Sequence, residues 1–186
     1  MPLKPFSLAV ALSCQAALAQ ATQISVTNAA ADAVLRGNYN PANYQAATII
    51  DNIAVIAPDM AARVSRDTLA AYLTQLASYY NRNSGSDTVS STRGIGASRR
   101  WIYSKFQQFS AQNGNRLLPS YLQFTQSICS MGRHRNVFAV LPGRDAANHG
   151  VLIVEGHQDS RCETSCDINC RAHGADDNGS GAVLVM

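Results

Sequence analysis

The sequence predicts an α/β fold in which helices pack on a central sheet, and three observations point to it. Apolar residues recur at the three- and four-residue steps of amphipathic helices in two stretches, residues 67–80 and 97–109. Short apolar runs typical of strands follow them, and a glycine-rich loop then leads into an apolar helical stretch at residues 179–185. Elements in this order indicate a layered α/β fold with its functional site at strand ends.

The first 19 residues have the features of a secretory signal peptide. Lys4 gives a positive start, residues 6–12 form an apolar stretch, and residues 17–19 (Ala-Leu-Ala) form a small-x-small cleavage site. The apolar stretch is far shorter than the roughly 20 residues that span a bilayer. We therefore expect a secreted or periplasmic protein with no membrane span. A lipoprotein anchored at Cys14 is the alternative, although the branched residue expected first in such a motif is absent.

Composition and charge exclude several classes of protein. Hydrophobic residues make up 46% of the chain and charged residues 15%, which is ordinary for a globular protein. A net charge of +3 over 186 residues is too small to indicate binding to nucleic acid.

Residues 20–65 carry few structural signals and are expected to form an N-terminal extension or propeptide, whereas residues 66–186 form the main domain. No feature of the sequence indicates an oligomeric state.

Both predicted helices have identifiable ends. Asp67 is a plausible N-cap of the first helix and Gly85 a plausible stop, while Gly114 ends the second helix. The aromatic residues on both apolar stripes are most simply core contacts. The first stripe comprises Leu69, Tyr72, Leu73, Leu76, Tyr79 and Tyr80, and the second comprises Ala97, Trp101, Ile102, Phe106 and Phe109.

Three strands are predicted after the helices. Residues 121–128 alternate as a half-buried strand does, and residues 137–141 and 151–154 are short apolar runs typical of buried strands. A Pro-Gly pair and an Asn-His-Gly triplet separate the last two runs.

Four of the five cysteines lie in the second half of the chain, at Cys129, Cys162, Cys166 and Cys170. In an exported protein an even set of cysteines favours one or two disulfides, and the three possible connectivities stay open. A structural zinc knot is the alternative for the last three, but their spacing lacks the two separated pairs of such knots. We expect disulfide bonding to fix a loop beside the candidate site.

Two motifs carry the functional prediction: GHQDS at residues 156–160 and GADDNGSG at residues 174–181. His157 can bind a metal through a neutral ring nitrogen, and Asp159 lies close enough in sequence to orient that ring. Asp176 and Asp177 supply carboxylate oxygens, which together with imidazole suit zinc.

Each motif has a simpler interpretation when it is taken alone. A His-x-Asp sequence after a strand is often a surface pair, and GADDNGSG could be a polar turn with Asn178 or Ser180 as a helix N-cap. Their spacing after the predicted strands favours half of a metal site. We interpret His149 and His173 as loop histidines and His134 as part of a solvated basic cluster.

The motifs and their surroundings resemble peptidase family M28, zinc-dependent peptidases that are mostly aminopeptidases with two zinc ions. GHQDS and GADDNGSG are the specific part of the resemblance, and RNVFAVLPG followed by VLIVEGHQDS is similar to the paired strands before the family's first ligand. Helices ending in YYNRNSGS and around SRRWIYSKF extend it to residues 66–186. The resemblance implies a three-layer α/β/α fold with a mixed central sheet, and a peptide substrate.

The resemblance also implies roles for individual residues. His157 would bind one zinc ion, Asp177 would bridge both zinc ions, and Asp159 would serve the catalytic site by a hydrogen bond that orients His157. In this family a cis peptide bond follows the bridging aspartate, which here would be the bond between Asp177 and Asn178.

Further parts of the family's site would come after Met186: an acidic ligand with the general base beside it, then an Asp and a His ligand. We therefore expect the N-terminal portion of an exported zinc-dependent exopeptidase, inactive by itself because two protein ligands are too few for a tight zinc site. The alternatives are a non-catalytic exported remnant of the fold, or a carboxypeptidase or glutaminyl cyclase of the same fold.

Overall fold

The computed structural model describes residues 23–145, 147–148 and 150–186, so the predicted signal peptide and Cys14 lie outside the described residues. Helices and a small sheet make up this part of the chain, which confirms the α/β class. In chain order the elements are β1 (Ser25–Val26), α1 (Ala29–Leu35), a 3₁₀ turn (Pro41–Tyr44), α2 (Ile53–Arg63), α3 (Arg66–Ala77), α4 (Gly94–Gln112), β2 (Leu118–Ile128), β3 (Met131–Val140), an irregular helical turn (Ala175–Ser180) and α5 (Gly181–Val185).

The sheet has three antiparallel strands in the order β1-β2-β3. β2 and β3 form a long hairpin that pairs Leu118 with Val140 at one end and Ile128 with Met131 at the other. Two predicted strands, at residues 121–128 and 137–141, are thus confirmed. β3 begins earlier than predicted because backbone pairing continues through its polar residues, which an apolar pattern does not mark.

The strand predicted at residues 151–154 is not formed, and that prediction was wrong for this part of the chain. The side chains of Val151, Leu152, Ile153 and Val154 are 70%, 90%, 75% and 68% exposed. A fully apolar strand is stable when strands flank it and layers cover both faces. Within the described residues no strand pairs with this segment, which has no regular secondary structure.

The two predicted helices are confirmed as α3 and α4, with corrections at the ends of α3. Ser65, rather than Asp67, is the N-cap, because its hydroxyl accepts a hydrogen bond from the Thr68 backbone N–H at 3.2 Å. The helix ends at Ala77, well before Gly85, because Tyr80 adopts a left-handed backbone conformation with φ of 67°.

The core lies between α3, α4 and α5. Its buried members are Leu76, Tyr79, Ala97, Ile102, Ala182 and Val183, and partly buried side chains including Tyr72, Trp101 and Phe106 pack around them. Tyr72 meets Trp101 edge to face with ring centroids 5.4 Å apart. The interpretation of these aromatic residues as core contacts is confirmed, whereas it was wrong for Tyr80, which is 38% exposed and lies outside the core. This core fixes α5, and with it the turn that carries Asp177, against α3.

The segment before α3 packs on the domain only in its first part. β1 pairs with β2, and the Asn28 side chain donates a hydrogen bond to the Pro119 carbonyl at 2.9 Å. Further along, the Arg116 side chain donates to the Tyr44 carbonyl at 2.7 Å. α2, in contrast, buries none of its residues. None of the helices in the described part of the chain is long and apolar enough to cross a membrane.

Candidate metal centre

Three side chains named from the sequence meet at one point on the surface. The two ring nitrogens of His157 lie 3.1 Å from a carboxylate oxygen each: Nδ1 from Asp159 and Nε2 from Asp177. Asp177, rather than Asp176, makes the contact with the ring. The side chains of His157, Asp159 and Asp177 are 55%, 42% and 84% exposed, so a ligand can reach them from solvent.

A neutral His157 ring can donate a hydrogen bond to only one of the two carboxylates beside it. When Nδ1 of a neutral imidazole donates its proton to Asp159, Nε2 has a lone pair that faces a carboxylate oxygen. Two acceptors 3.1 Å apart repel each other unless a proton or a metal ion lies between them. Two ligands of one tetrahedral zinc ion, each about 2.05 Å from it, are about 3.3 Å apart. The donor set and its spacing therefore fit a metal ion.

Close backbone approaches bring the two motifs together. Gly156 lies against Gly181 at the start of α5, and a Cβ built on Gly156 would come within 2.6 Å of the Gly181 carbonyl carbon. Gly174 has φ of 48° and is packed on Ser160, so a side chain there would collide with it. The peptide bond between Asp177 and Asn178 is cis, as the resemblance predicted.

Two disulfides hold the loop between the motifs. Cys129 is bonded to Cys166 and Cys162 to Cys170, which settles the connectivity that the sequence left open. The prediction of disulfides is confirmed and the zinc-knot alternative is wrong. Because Cys129 lies in the turn of the β2–β3 hairpin, the first disulfide ties the loop to the sheet. Asn81 reinforces the loop by donating to the Cys170 carbonyl at 3.0 Å.

Sequence reasoning missed two buried polar residues beneath the site, Arg82 and Ser160. The Ser160 hydroxyl donates to the Ala172 carbonyl at 2.6 Å and accepts a hydrogen bond from the Arg82 backbone N–H at 3.0 Å. Burial lowers the pKa of Arg82 to about 10, against the opposing effect of the Asp159 carboxylate, so Arg82 stays charged at neutral pH. Its place in an Asn-Arg-Asn turn directly after a helix was the one available signal.

His134 and His173 each make a ring-nitrogen contact with a backbone carbonyl oxygen, away from the candidate ligands. His134 is 7% exposed, its ring stacks on Phe124, and Nε2 lies 3.0 Å from the Met131 carbonyl oxygen, so the interpretation as a solvated residue was wrong. His173 places Nδ1 2.9 Å from the Ala77 carbonyl oxygen. His149 lies outside the described residues. Across residues 23–145, 147–148 and 150–186, no three His, Cys, Asp or Glu side chains converge as metal ligands.

The sequence is similar to those of known proteins. Residues 136–186, which include both motifs, match the model of peptidase family M28. A "Probable zinc metalloprotease" of Pyrenophora teres f. teres is 32% identical over 131 residues, which cover 68% of this chain and 27% of that protein. A protein with the same name from Pyricularia oryzae is 34% identical over 122 residues, 63% of this chain and 24% of the relative.

A "Leucine aminopeptidase 1" of Arthroderma gypseum is 31% identical over 128 residues, which cover 68% of this chain and 31% of that protein. The chain thus spans less than a third of the length of these relatives. No solved structure gives a significant match.

The family model and the named relatives that match are those of metallopeptidases, the class that this chain is similar to. The resemblance to peptidase family M28 seen in the motifs is confirmed, and residues 136–186 are the segment that carries it.

Proposed function

We propose that the protein is an exported, zinc-dependent exopeptidase of the aminopeptidase type, in which His157 and Asp177 bind zinc and Asp159 orients His157. The convergence of His157 Nε2 on Asp177 at 3.1 Å carries this proposal. The names of the relatives, which include zinc metalloproteases and a leucine aminopeptidase, support the choice of metal and reaction. The two disulfides support export, because disulfides persist in oxidising compartments.

The residues of this chain would contribute positioning rather than proton transfer. Asp159 would accept the Nδ1 proton of His157, which leaves the Nε2 lone pair facing Asp177 for a metal ion. Asp177, at 84% exposure, keeps a second carboxylate oxygen available for another ion, as a bridging ligand requires. Zinc bound here would supply Lewis acidity toward the scissile carbonyl of a peptide. The general base would come from the complete two-zinc domain, as would the remaining ligands.

We place residues 66–186 in the N-terminal portion of that domain, after a signal peptide at residues 1–19 and an extension or propeptide at residues 20–65. In the complete domain we expect a three-layer α/β/α arrangement with a mixed sheet. The exposed apolar run at residues 151–154 would become an internal strand there, because its four large side chains require cover on both faces.

Zinc binding at His157 is the first test. In a histidine-ring NMR titration of the chain, we expect zinc to shift the ring-nitrogen signals of His157 and to leave those of His173 unchanged. Because two protein ligands bind weakly, the titration must extend into the millimolar range, with magnesium as the control cation. His157→Gln assigns the signal, and Asp177→Asn should abolish the response. A response confined to another histidine would contradict the proposed ligands.

Peptidase activity is the second test. We expect no turnover of an aminoacyl anilide by this chain with zinc added, since its described residues bring together two ligands and the reaction also needs a general base. Chelator-sensitive turnover would show that this expectation is wrong. A zinc response at His157 without turnover fits a portion of a peptidase, a carboxypeptidase or a glutaminyl cyclase of this fold. Absence of the zinc response favours a non-catalytic remnant.

A further inference from the structure

The guanidinium group of Arg82 is fully buried between the two segments that carry the candidate ligands. Nε donates to the Gln158 carbonyl at 2.6 Å, one residue beyond His157. On the other side, Nη1 donates to the His173 carbonyl at 2.6 Å and Nη2 to the Gly174 carbonyl at 3.0 Å, shortly before Asp177. One planar group therefore bonds to the backbone of both segments.

Arg82 also connects both segments to the core. Nη1 donates a second bond to the Leu76 carbonyl at the end of α3, at 2.8 Å. Its backbone N–H donates to Ser160, whose hydroxyl reaches the Ala172 carbonyl on the far side of the disulfide loop. The Gln158 side chain is held in turn by the Ser98 hydroxyl of α4 at 3.0 Å. The buried arginine is thus the centre of a network that spans α3, α4 and both motifs.

The chemistry of these partners requires an arginine. Four carbonyl oxygens point at one buried volume, and because all are acceptors they cannot satisfy each other. Arginine offers five N–H donors in a rigid fork and no acceptor, whereas lysine presents its three donors at a single point. A buried cation without a hydrogen-bonded carboxylate is uncommon, and it is retained here among carbonyl dipoles that a smaller or apolar side chain would leave unpaired.

We propose that Arg82 is a positioning residue that fixes the His157-bearing segment relative to the Asp177-bearing segment. It contacts neither candidate ligand side chain and acts through the backbone beside each of them. With Arg82 in place, the separation between His157 Nε2 and Asp177 is set before any metal ion arrives, so binding does not have to order two loops. Its role in metal binding rests on the function proposed above, whereas the link between the segments does not.

Amide hydrogen exchange tests the link without any metal. In Arg82→Lys we expect exchange at the Ser160, Ala172 and Gly179 amides, which are hydrogen-bonded beside the network, to accelerate by at least about tenfold. Amides of the β2–β3 hairpin should change by less than about twofold. Arg99→Lys is the matched control, since Arg99 is also buried at 8% exposure but lies on α4. Unchanged exchange in Arg82→Lys, or an increase spread evenly over the chain, would overturn the proposal.

Zinc supplies a second readout that a purely structural role would not move. In Arg82→Lys we expect the zinc concentration for half-maximal shift of His157 to rise by about 10- to 100-fold, the range typical of residues that orient ligands. A local loss of amide protection with unchanged zinc affinity would overturn the role in metal binding. If zinc does not shift His157 in the unaltered chain, the proposed function fails, while local deprotection in Arg82→Lys still supports the link between the segments.

A measurement on the unaltered chain covers the case in which Arg82→Lys does not fold. The Nε–H of Arg82 donates to Gln158 at 2.6 Å from a fully buried position, so its NMR signal should be protected from exchange with water. Addition of zinc should shift this signal together with that of His157, because Gln158 is the adjacent residue. An Arg82 Nε–H that exchanges as fast as those of exposed arginines would contradict the proposal.

Discussion

Replacing both Cys129 and Cys166 with serine is expected to lower the free energy of unfolding by about 4 kcal/mol, according to the loop entropy that a crosslink removes from the unfolded chain. These cysteines are 37 residues apart, and their bond joins the turn of the β2–β3 hairpin to the loop between the two motifs. Chemical denaturation of the oxidised proteins measures the loss. The loop should also become more mobile, because Cys166 ties it to the hairpin.

The second disulfide provides the matched control. Cys162 and Cys170 are 8 residues apart, so their bond closes only a short loop. Replacing both with serine should lower the free energy of unfolding by about 2.5 kcal/mol. The two double variants introduce the same chemical change, so their difference reports the length and placement of the crosslinked loops. An equal loss in both, or a greater loss from Cys162 and Cys170, would show that local packing rather than loop closure determines the contribution.

Local periodicity was sufficient to predict α3, α4 and the two long strands, but it did not reveal α1 and α2, which lie in a stretch with few structural signals. α3 and α4 follow apolar stripes that the sequence displays directly, and the predicted start of α3 and end of α4 lie close to the observed ends, whereas α3 ends at Ala77, well before Gly85. The error at the start of α3 arose because Ser65 and Asp67 are both good caps, and only the backbone shows which hydroxyl or carboxylate reaches an N–H.

Sequence periodicity does not predict which residues that are distant in the chain will pair. The run at residues 151–154 has the composition of a buried strand, but a strand depends on neighbours that its own residues do not encode. Arg82 was missed for the same reason, because its four carbonyl partners lie 6 to 92 residues away in the chain. His157, Asp159 and Asp177 could be named in advance since a motif preserves both residue type and spacing.

Leu76→Ala is expected to lower the free energy of unfolding by about 2–5 kcal/mol, the range for a buried leucine replaced by alanine. Leu76 is completely buried at the centre of the core formed by α3, α4 and α5. Its truncation leaves a cavity against Ala182 and Val183, which hold α5 and the preceding turn in place. The Leu76 carbonyl that accepts from Arg82 is retained in the variant, so the loss reports packing alone. Chemical denaturation with both disulfides intact is the measurement.

Leu184→Ala is the matched control, because Leu184 lies in α5 beside the same core but is 75% exposed. It makes the same change in side chain and helix propensity without a cavity, so its effect should stay within about 0.5 kcal/mol. A comparable loss from both substitutions would contradict a core centred on Leu76. If only Leu76→Ala destabilises the chain, the turn that carries Asp177 depends on packing of α5 against α3, and the candidate metal centre is coupled to the stability of the core.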